Sequence, residues 1–473
     1  MRVAIVGAGV AGLGSALALA RDGHDVVLLE RDSTPLPDTP DEAFDWKRRG
    51  APQVRHSHAF LARMRNLLRD KLPDVRDELL SAGATEVAWG EMLPDTIEDR
   101  TPAASDEDLV MLCCRRTTFE WVLRHAIVRT ERADLRDGVT VTGLLGSNGS
   151  GPVRVTGVRT SDGDVEADVV LDATGRPSRL PELLREVGVR LEETKSGTGI
   201  VYLSRFYRLR EGAEAPNAQA FNGADLGYLK FAVFRGDNRS FSVTLAYGTD
   251  DAEMRLLRDR GRFDAATKAI PAIAEWVHPD VAEPISGVQY MGGLINRIRH
   301  FVVDGEPVVR GLHGVGDASV CTNPLYGRGC SLGMVHGVLF AETLGRDGED
   351  ARDLAIAFDE ATQRELVPWY VASKQQDKVS MAVQRGDELS EFDTFVRSLV
   401  TDGVFPASRY DADVSRAWFR TFNLLTPPDS LMTNPDVMRT VMEYWNGRES
   451  RDRPEAMGPP REDFLRTVTT DAP

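Results

Sequence analysis

Three stretches of this chain carry residue types at spacings that suggest chemistry. The first is Gly7-x-Gly9-x-x-Gly12, with Val10 and Ala11 inside it and Glu30 and Arg31 further on. In such a pattern the first glycine permits a tight turn, and the second lets backbone amides approach a pyrophosphate. The third lets a helix sit close to a sheet, and the later carboxylate accepts hydrogen bonds from a ribose. The second stretch is Gly316-Asp317, followed by Asn323-Pro324-Leu-Tyr-Gly327-Arg-Gly329-Cys330. There a carboxylate can hold a sugar or ribityl hydroxyl, and a glycine loop at a helix start can aim amides at an electron-rich ring. The third stretch is residues 47–58, where Arg49, His56 and His58 stand in a run of four cations and two histidines within an acidic protein. Gly50 and Pro52 fix that loop, so it suits phosphate or flavin contacts, and an imidazole there could shuttle a proton near neutral pH. His56-x-His58 lacks further ligands at suitable spacing, and no metal site is expected.

Particular elements must position these groups. An apolar strand precedes Gly7, an alanine-rich helix follows it, Asp22-Gly23 ends the helix, and residues 26–29 form a second, buried strand. A glycine pattern in this context is specific, whereas alone it is weak. Arg116 opens a helix whose residues Phe119, Leu123 and Ile127 share one face, and it could reach an anion. Three strand-like runs, about 139–145, 153–159 and 165–172, read as a β-meander with breaks at 147–152 and 161–163, ending in the turn Ala173-Thr174-Gly175-Arg176-Pro-Ser178. A hairpin follows at 228–248, with Phe241, Val243, Leu245 and Tyr247 on one face, suited either to a core or to the roof of a hydrophobic pocket. Beyond residue 345 the chain reads as mostly helical, with aromatic pairs such as Trp369-Tyr370 as packing anchors and a strap or loose tail from residue 446. The expected organisation is 1–190 as the first part of a nucleotide domain, 191–290 as a substrate domain, 291–345 as the nucleotide domain's return, and 346–473 as a helical region. One cradle near residue 1 and another near residue 325 call for a long ligand spanning both, which is FAD.

Composition narrows the class. At 473 residues the chain can build two or three subdomains around a large core. A net charge of −16 and a pI near 5.1 argue against a nucleic-acid partner. No run of 18 or more apolar residues suggests a membrane span, and four cysteines without a C-x-x-C pair suggest a reducing, cytoplasmic setting.

Together, Gly7-x-Gly9-x-x-Gly12 with Glu30, Arg116, Asp172-Ala-Thr-Gly175, and Gly316-Asp317 with Pro324-x-x-Gly327-x-Gly329 resemble the single-component FAD monooxygenases of the p-hydroxybenzoate hydroxylase fold. The resemblance covers roughly residues 1–345. Arg49-Gly-Ala-Pro-Gln-Val-Arg-His56-Ser-His58 and residues 323–329 are most similar to bacterial epoxidases acting on polyene chains in polyether biosynthesis. The implied fold class is α/β, a Rossmann-like FAD-binding domain with a β-sheet substrate domain and a C-terminal helical region. The resemblance implies Glu30 on the adenosine ribose, Arg116 near the pyrophosphate or ribityl chain, Asp317 on the ribityl side, and residues 324–329 beneath the isoalloxazine.

The implied activity inserts one oxygen from dioxygen into an apolar small molecule, by epoxidation or hydroxylation through a flavin hydroperoxide. Substrate candidates are natural-product intermediates. Where many aromatic hydroxylases carry Asp-Gly-x-x-Ser, tied to NAD(P)H use, this chain has Ala173-Thr174-Gly175-Arg-Pro-Ser178, so NAD(P)H serves either directly or through a separate reductase. The Gly-Trp-x-Trp-x-Ile motif of flavin halogenases is absent around all seven tryptophans. The alternatives to a monooxygenase are an FAD dehydrogenase or enoyl reductase, then a halogenase or a non-catalytic flavoprotein.

Overall fold

The computed structural model describes the chain except residues 148–151, 218, 220, 349, 452–456 and 471–473. Its centre is a five-stranded parallel sheet in the order Leu312–Gly314, Val169–Asp172, Arg2–Val6, Asp25–Glu30, Ala133–Asp137. Strands buried on both faces need apolar residues at every position rather than at alternate ones. Val3, Ile5, Val26 and Leu28 accordingly pack against the helices Val10–Arg21, Arg116–Val128 and Gly329–Asp347, while Ala4, Val27 and Leu29 pack on the other side. That other side is covered by an antiparallel sheet of Val141–Ser147, Arg154–Thr160 and Gly163–Glu166.

The run 165–172, expected as one meander strand, is two strands in two sheets. Gly163–Glu166 stays in the meander and Val169–Asp172 crosses into the parallel sheet. The break is at Asp168, whose carboxylate accepts the Arg2 amide at 2.8 Å. The turn expected at 147–152 lies largely outside the described residues.

A second sheet has the order Phe221–Asp225, Lys230–Arg235, Ser240–Gly248, Ile200–Leu209, Ala282–Pro284, and Gln289–Met291 also pairs with Ile200–Leu209. Phe241, Val243, Leu245 and Tyr247 face a core with the helix Arg260–Ala269. The alternate row, Ser242 and Thr244 with Ser204, faces the loop at 56–58. The surface turned toward that loop is therefore hydroxyl-bearing, and the apolar row is core. The expected C-terminal strap or tail includes a docked helix, Arg461–Thr470, whose Phe464 and Val468 are fully buried in that same core. Their i, i+4 spacing puts both on one face. Trp369 and Tyr370 are buried packing residues, as expected. Among the described residues no helix is long and apolar enough to cross a membrane.

Candidate functional site

One cavity of about 630 Å³ runs from Gly7, Gly9, Val10, Ala11, Glu30 and Arg31 to Asp317, Pro324, Gly327, Gly329 and Cys330. Its first end is built by glycine geometry. Gly7 has φ +99°, and a Cβ there would lie 2.9 Å from the Ala173 carbonyl oxygen; at Gly12 it would lie 1.9 Å from that of Gly7. Gly9 instead has open space where its Cβ would be. The helix Val10–Arg21 has neither a side-chain cap at Gly9 nor an acid in its first turn. Its uncommitted amides and positive end are left for an anion.

Glu30 is buried and accepts the amides of Ala8 at 3.2 Å and Asp32 at 3.0 Å. Arg48 lies beside it, 3.3 Å from Glu30 and 3.2 Å from Glu120. Arg116 donates Nε to Glu120 at 2.8 Å, and Arg124 closes the network 3.4 Å from Glu30. Burial works to raise the Glu120 carboxyl, but Arg116, Arg48 and Arg124 overcome it and hold it low. Sequence reasoning missed Arg48, Glu120 and Arg124. The last two had a signal, because Arg116, Glu120 and Arg124 repeat at i, i+4 on a second face of the helix.

Arg49, named from the sequence as a catalytic and cofactor candidate, lines the cavity but is exposed, while its neighbour Arg48 takes the buried position. Arg116, expected by resemblance near the pyrophosphate or ribityl chain, has Nη1 at 3.1 Å from His58 Nε2 and 3.5 Å from Cys330 Sγ, toward the Asp317 end. His58 donates Nδ1–H to the His56 carbonyl at 2.9 Å and accepts from Arg116 with Nε2, so it is committed at both nitrogens. Burial and the Arg116 charge push it well below the ordinary histidine value. His56 lies behind the cavity wall, with Nδ1 at 3.1 Å from Ser204 Oγ, and burial lowers it to about 4. Beyond it a hydroxyl chain runs from Ser204 through Thr244 (2.9 Å) and Ser57 (2.6 Å) to Ser242 (2.7 Å).

At the second end Gly316 has φ +59° and donates its amide to His336 Nδ1 at 3.1 Å; His336 Nε2 pairs with Thr362 at 3.0 Å. Burial pushes the Asp317 carboxyl up. The helix Gly329–Asp347 begins without a side-chain cap or a first-turn acid, and Gly329 too has open space at its Cβ position. The loop before it is held from a later helix, by Asp377 on Val367–Arg385. Asp377 accepts from Asn323 Nδ2 at 2.7 Å, Tyr326 OH at 2.8 Å and Asn296 Nδ2 at 2.6 Å. The turn at 173–178 is organised by Asp172, which accepts the Thr174 amide at 2.9 Å and the Ser178 hydroxyl. Gly175, with φ +73°, lines the cavity.

Two uncapped helix amino termini opening on one elongated cavity, with open glycines at both, fit FAD. The pyrophosphate would meet Gly9, Val10 and Ala11, the adenosine ribose Glu30, and the ring system the start of the helix at Gly329.

Residues 2–39 match the family model described as FAD dependent oxidoreductase. No curated protein matches the sequence. Among solved structures the chain is similar to PqsL, described as a probable FAD-dependent monooxygenase from Pseudomonas aeruginosa, with TM-score 0.55 and 14% identity over 81% of this chain and 96% of that one. It is similar to the OxyS anhydrotetracycline hydroxylase from Streptomyces rimosus, with TM-score 0.55 and 17% identity over 90% and 76%. A third similar structure is the myxobacterial chondrochloren halogenase CndH, with TM-score 0.58 and 18% identity over 97% and 98%.

Proposed function

We propose that this FAD-dependent oxidoreductase is a monooxygenase that transfers one oxygen atom from dioxygen to an alkene or arene of an apolar natural-product intermediate. The observation that carries the reading is the chemistry of the ring end. Dehydrogenation is commonly assisted by a side chain that takes a proton from the substrate, yet neither histidine is placed for that: His58 is committed at both nitrogens and His56 lies behind the wall. Oxygen transfer to a π bond needs no such base. Bound FAD, once reduced, supplies the activation of dioxygen. The chain's own residues do the rest. Amides at the start of the helix Gly329–Asp347 stabilise negative charge on the ring. Tyr202, Met291, Ile295 and Pro324 line this end and keep the reacting face away from water. His58 and Arg116 hold a donor at a fixed position beside Cys330.

Epoxidation of a polyene is the finer form of the proposal, supported by the likeness of residues 49–58 and 323–329 to polyether epoxidases. Electrons would come from NAD(P)H, directly or through a separate flavin reductase. The deciding experiment supplies labelled dioxygen to the reduced protein with a panel of polyenes and aromatic compounds. Product carrying one labelled oxygen supports the proposal; turnover with artificial electron acceptors and no label in any product favours a dehydrogenase. Halogenation is the second reading, favoured by the extent of the likeness to CndH, which covers 97% of this chain against 81% for PqsL. Adding bromide to the same assay separates them, since a brominated product would replace the oxygenated one.

A further inference from the structure

The strands that wall the cavity also wall a second, smaller pocket on their other face. In the register of Ile200–Leu209, Tyr202 stands opposite Met291 and Ala246, Val201 opposite Tyr247, and Leu203 opposite Tyr290. Tyr202 and Met291 line the large cavity; the alternate row, Val201, Tyr247 and Tyr290, lines a pocket of about 200 Å³ with Arg255 and Arg258. Gly293, just past the strand Gln289–Met291, lines both. It has φ +63°, and among the described residues nothing lies within 4 Å of where its Cβ would be. The two spaces therefore approach each other around the strand end at a residue without a side chain.

The chemistry of the small pocket is that of an oxyanion receptor. Tyr247 is 1% exposed, and its hydroxyl lies beside the Arg258 guanidinium, which works against the effect of burial on its pKa. Burial raises its pKa, so it remains a donor. Arg258 stacks 3.9 Å above the Tyr290 ring, and Arg255 reaches the Thr249 carbonyl at 3.4 Å. Neither arginine pairs with a described carboxylate, although Asp250, Asp251 and Glu253 are near in sequence. Those acids pair instead with Arg385 and Arg461.

Resting on the monooxygenase reading, we infer that this pocket binds the anionic end of the substrate, whose apolar body passes Gly293 into the flavin cavity. Guanidinium forks and a phenol donor together suit a carboxylate or a phosphate ester.

The test uses the oxidised, FAD-loaded protein without reductant, titrated with decanoate, decyl phosphate and decanol by calorimetry and by visible flavin absorbance. At least one anion should bind about ten-fold more tightly than decanol and perturb the flavin band, and the tighter anion identifies the head group. The double variant Arg255→Gln/Arg258→Gln should lose that ten-fold advantage while leaving decanol unchanged. Tyr247→Phe should weaken the anion by about three-fold, the scale of one hydrogen bond. Gly293→Asn, tolerated at positive φ, should abolish the flavin perturbation by filling the passage. Equal binding of decanoate, decyl phosphate and decanol, no binding of either anion, anion affinity unchanged in the double variant, or binding without any flavin perturbation would each overturn the inference. Because no turnover is involved, such a failure leaves the labelled-oxygen result standing, and absence of label leaves this result standing.

Discussion

Arg48 and Arg49 are adjacent in the chain and have opposite environments. Arg48 has 2% of its side chain exposed, lies 4.9 Å from the Trp46 ring, and is flanked by Glu30 and Glu120. Arg49 is exposed at the cavity. The sequence shows that a basic loop precedes His56, but two consecutive arginines at a turn, closed by the Ala51 amide on the Arg48 carbonyl, do not themselves say which one faces inward. Only the carboxylates brought in by a strand end and a distant helix decide which one is buried. Removing one partner of a buried ion pair leaves an uncompensated charge and costs about 3–5 kcal/mol. Arg48→Ala should therefore lower the urea-unfolding free energy by about that much and release FAD, whereas Arg49→Ala should change stability by less than about 0.5 kcal/mol. Equal effects from the two would show that the buried network contributes little. The glycine turn was legible because its residues stand at fixed short spacing, and at Gly12 the constraint is itself local: a Cβ there would lie 1.9 Å from the Gly7 carbonyl oxygen. Asp377 was not legible: it stands in Lys374-Gln-Gln-Asp377-Lys378, a run indistinguishable from a solvated helix face.

At the scale of elements, both ends of the cavity depend on one pair of helices, Val10–Arg21 and Gly329–Asp347. They touch through small residues: a Cβ at Gly337 would lie 2.4 Å from Ser15 Oγ, and one at Gly333 would lie 3.4 Å from Ala11 Cβ. The close approach brings both positive ends to one cavity. Gly337→Ala should force them apart, costing about 1–3 kcal/mol by overpacking and weakening FAD binding as both termini move. Flavin fluorescence during dilution reports the second effect, and full retention of FAD would refute the coupling. Asp377 fixes the loop before the second helix through three donors. Asp377→Asn retains the shape but turns an amide toward one of those donors, so a loss of about 1–3 kcal/mol is expected for the unmatched group. The bound flavin's absorbance maximum should shift because the ring loop relaxes. A stability loss with an unaltered flavin spectrum would make Asp377 structural only. The helical region was legible as helices, but not as the support of a loop 50 residues earlier, because hydrogen bonds across that distance leave no periodic trace.

At the scale of the whole molecule, histidines set how the fold responds to acid. Burial lowers His56 and His313 to about 4 and His336 to about 3, and His58 is well below its ordinary value. A histidine whose folded pKa is depressed contributes stability that is fully present above its unfolded value near 6.5. That stability is lost as pH falls toward the folded value, because the unfolded chain binds the proton first. Each such imidazole adds a slope of up to about 1.4 kcal/mol per pH unit over that window. Unfolding free energy should therefore drop steeply from about pH 6.5 to pH 4, and change little between pH 7 and 8 on their account. His313 isolates the effect. It lies among Phe340 and Phe358, with ring centroids 5.2 and 5.8 Å away, and its Nε2 has no hydrogen-bond partner among the described residues. His313→Phe removes the titrating group while preserving an aromatic ring in an aromatic cluster. Denaturation at several pH values should give a shallower slope for the variant by up to about 1.4 kcal/mol per pH unit. The slope, not the absolute stability, is diagnostic, since any packing offset from the larger ring is the same at every pH. Parallel curves for variant and parent would mean that His313 is neutral in both states over this range, or charged in both.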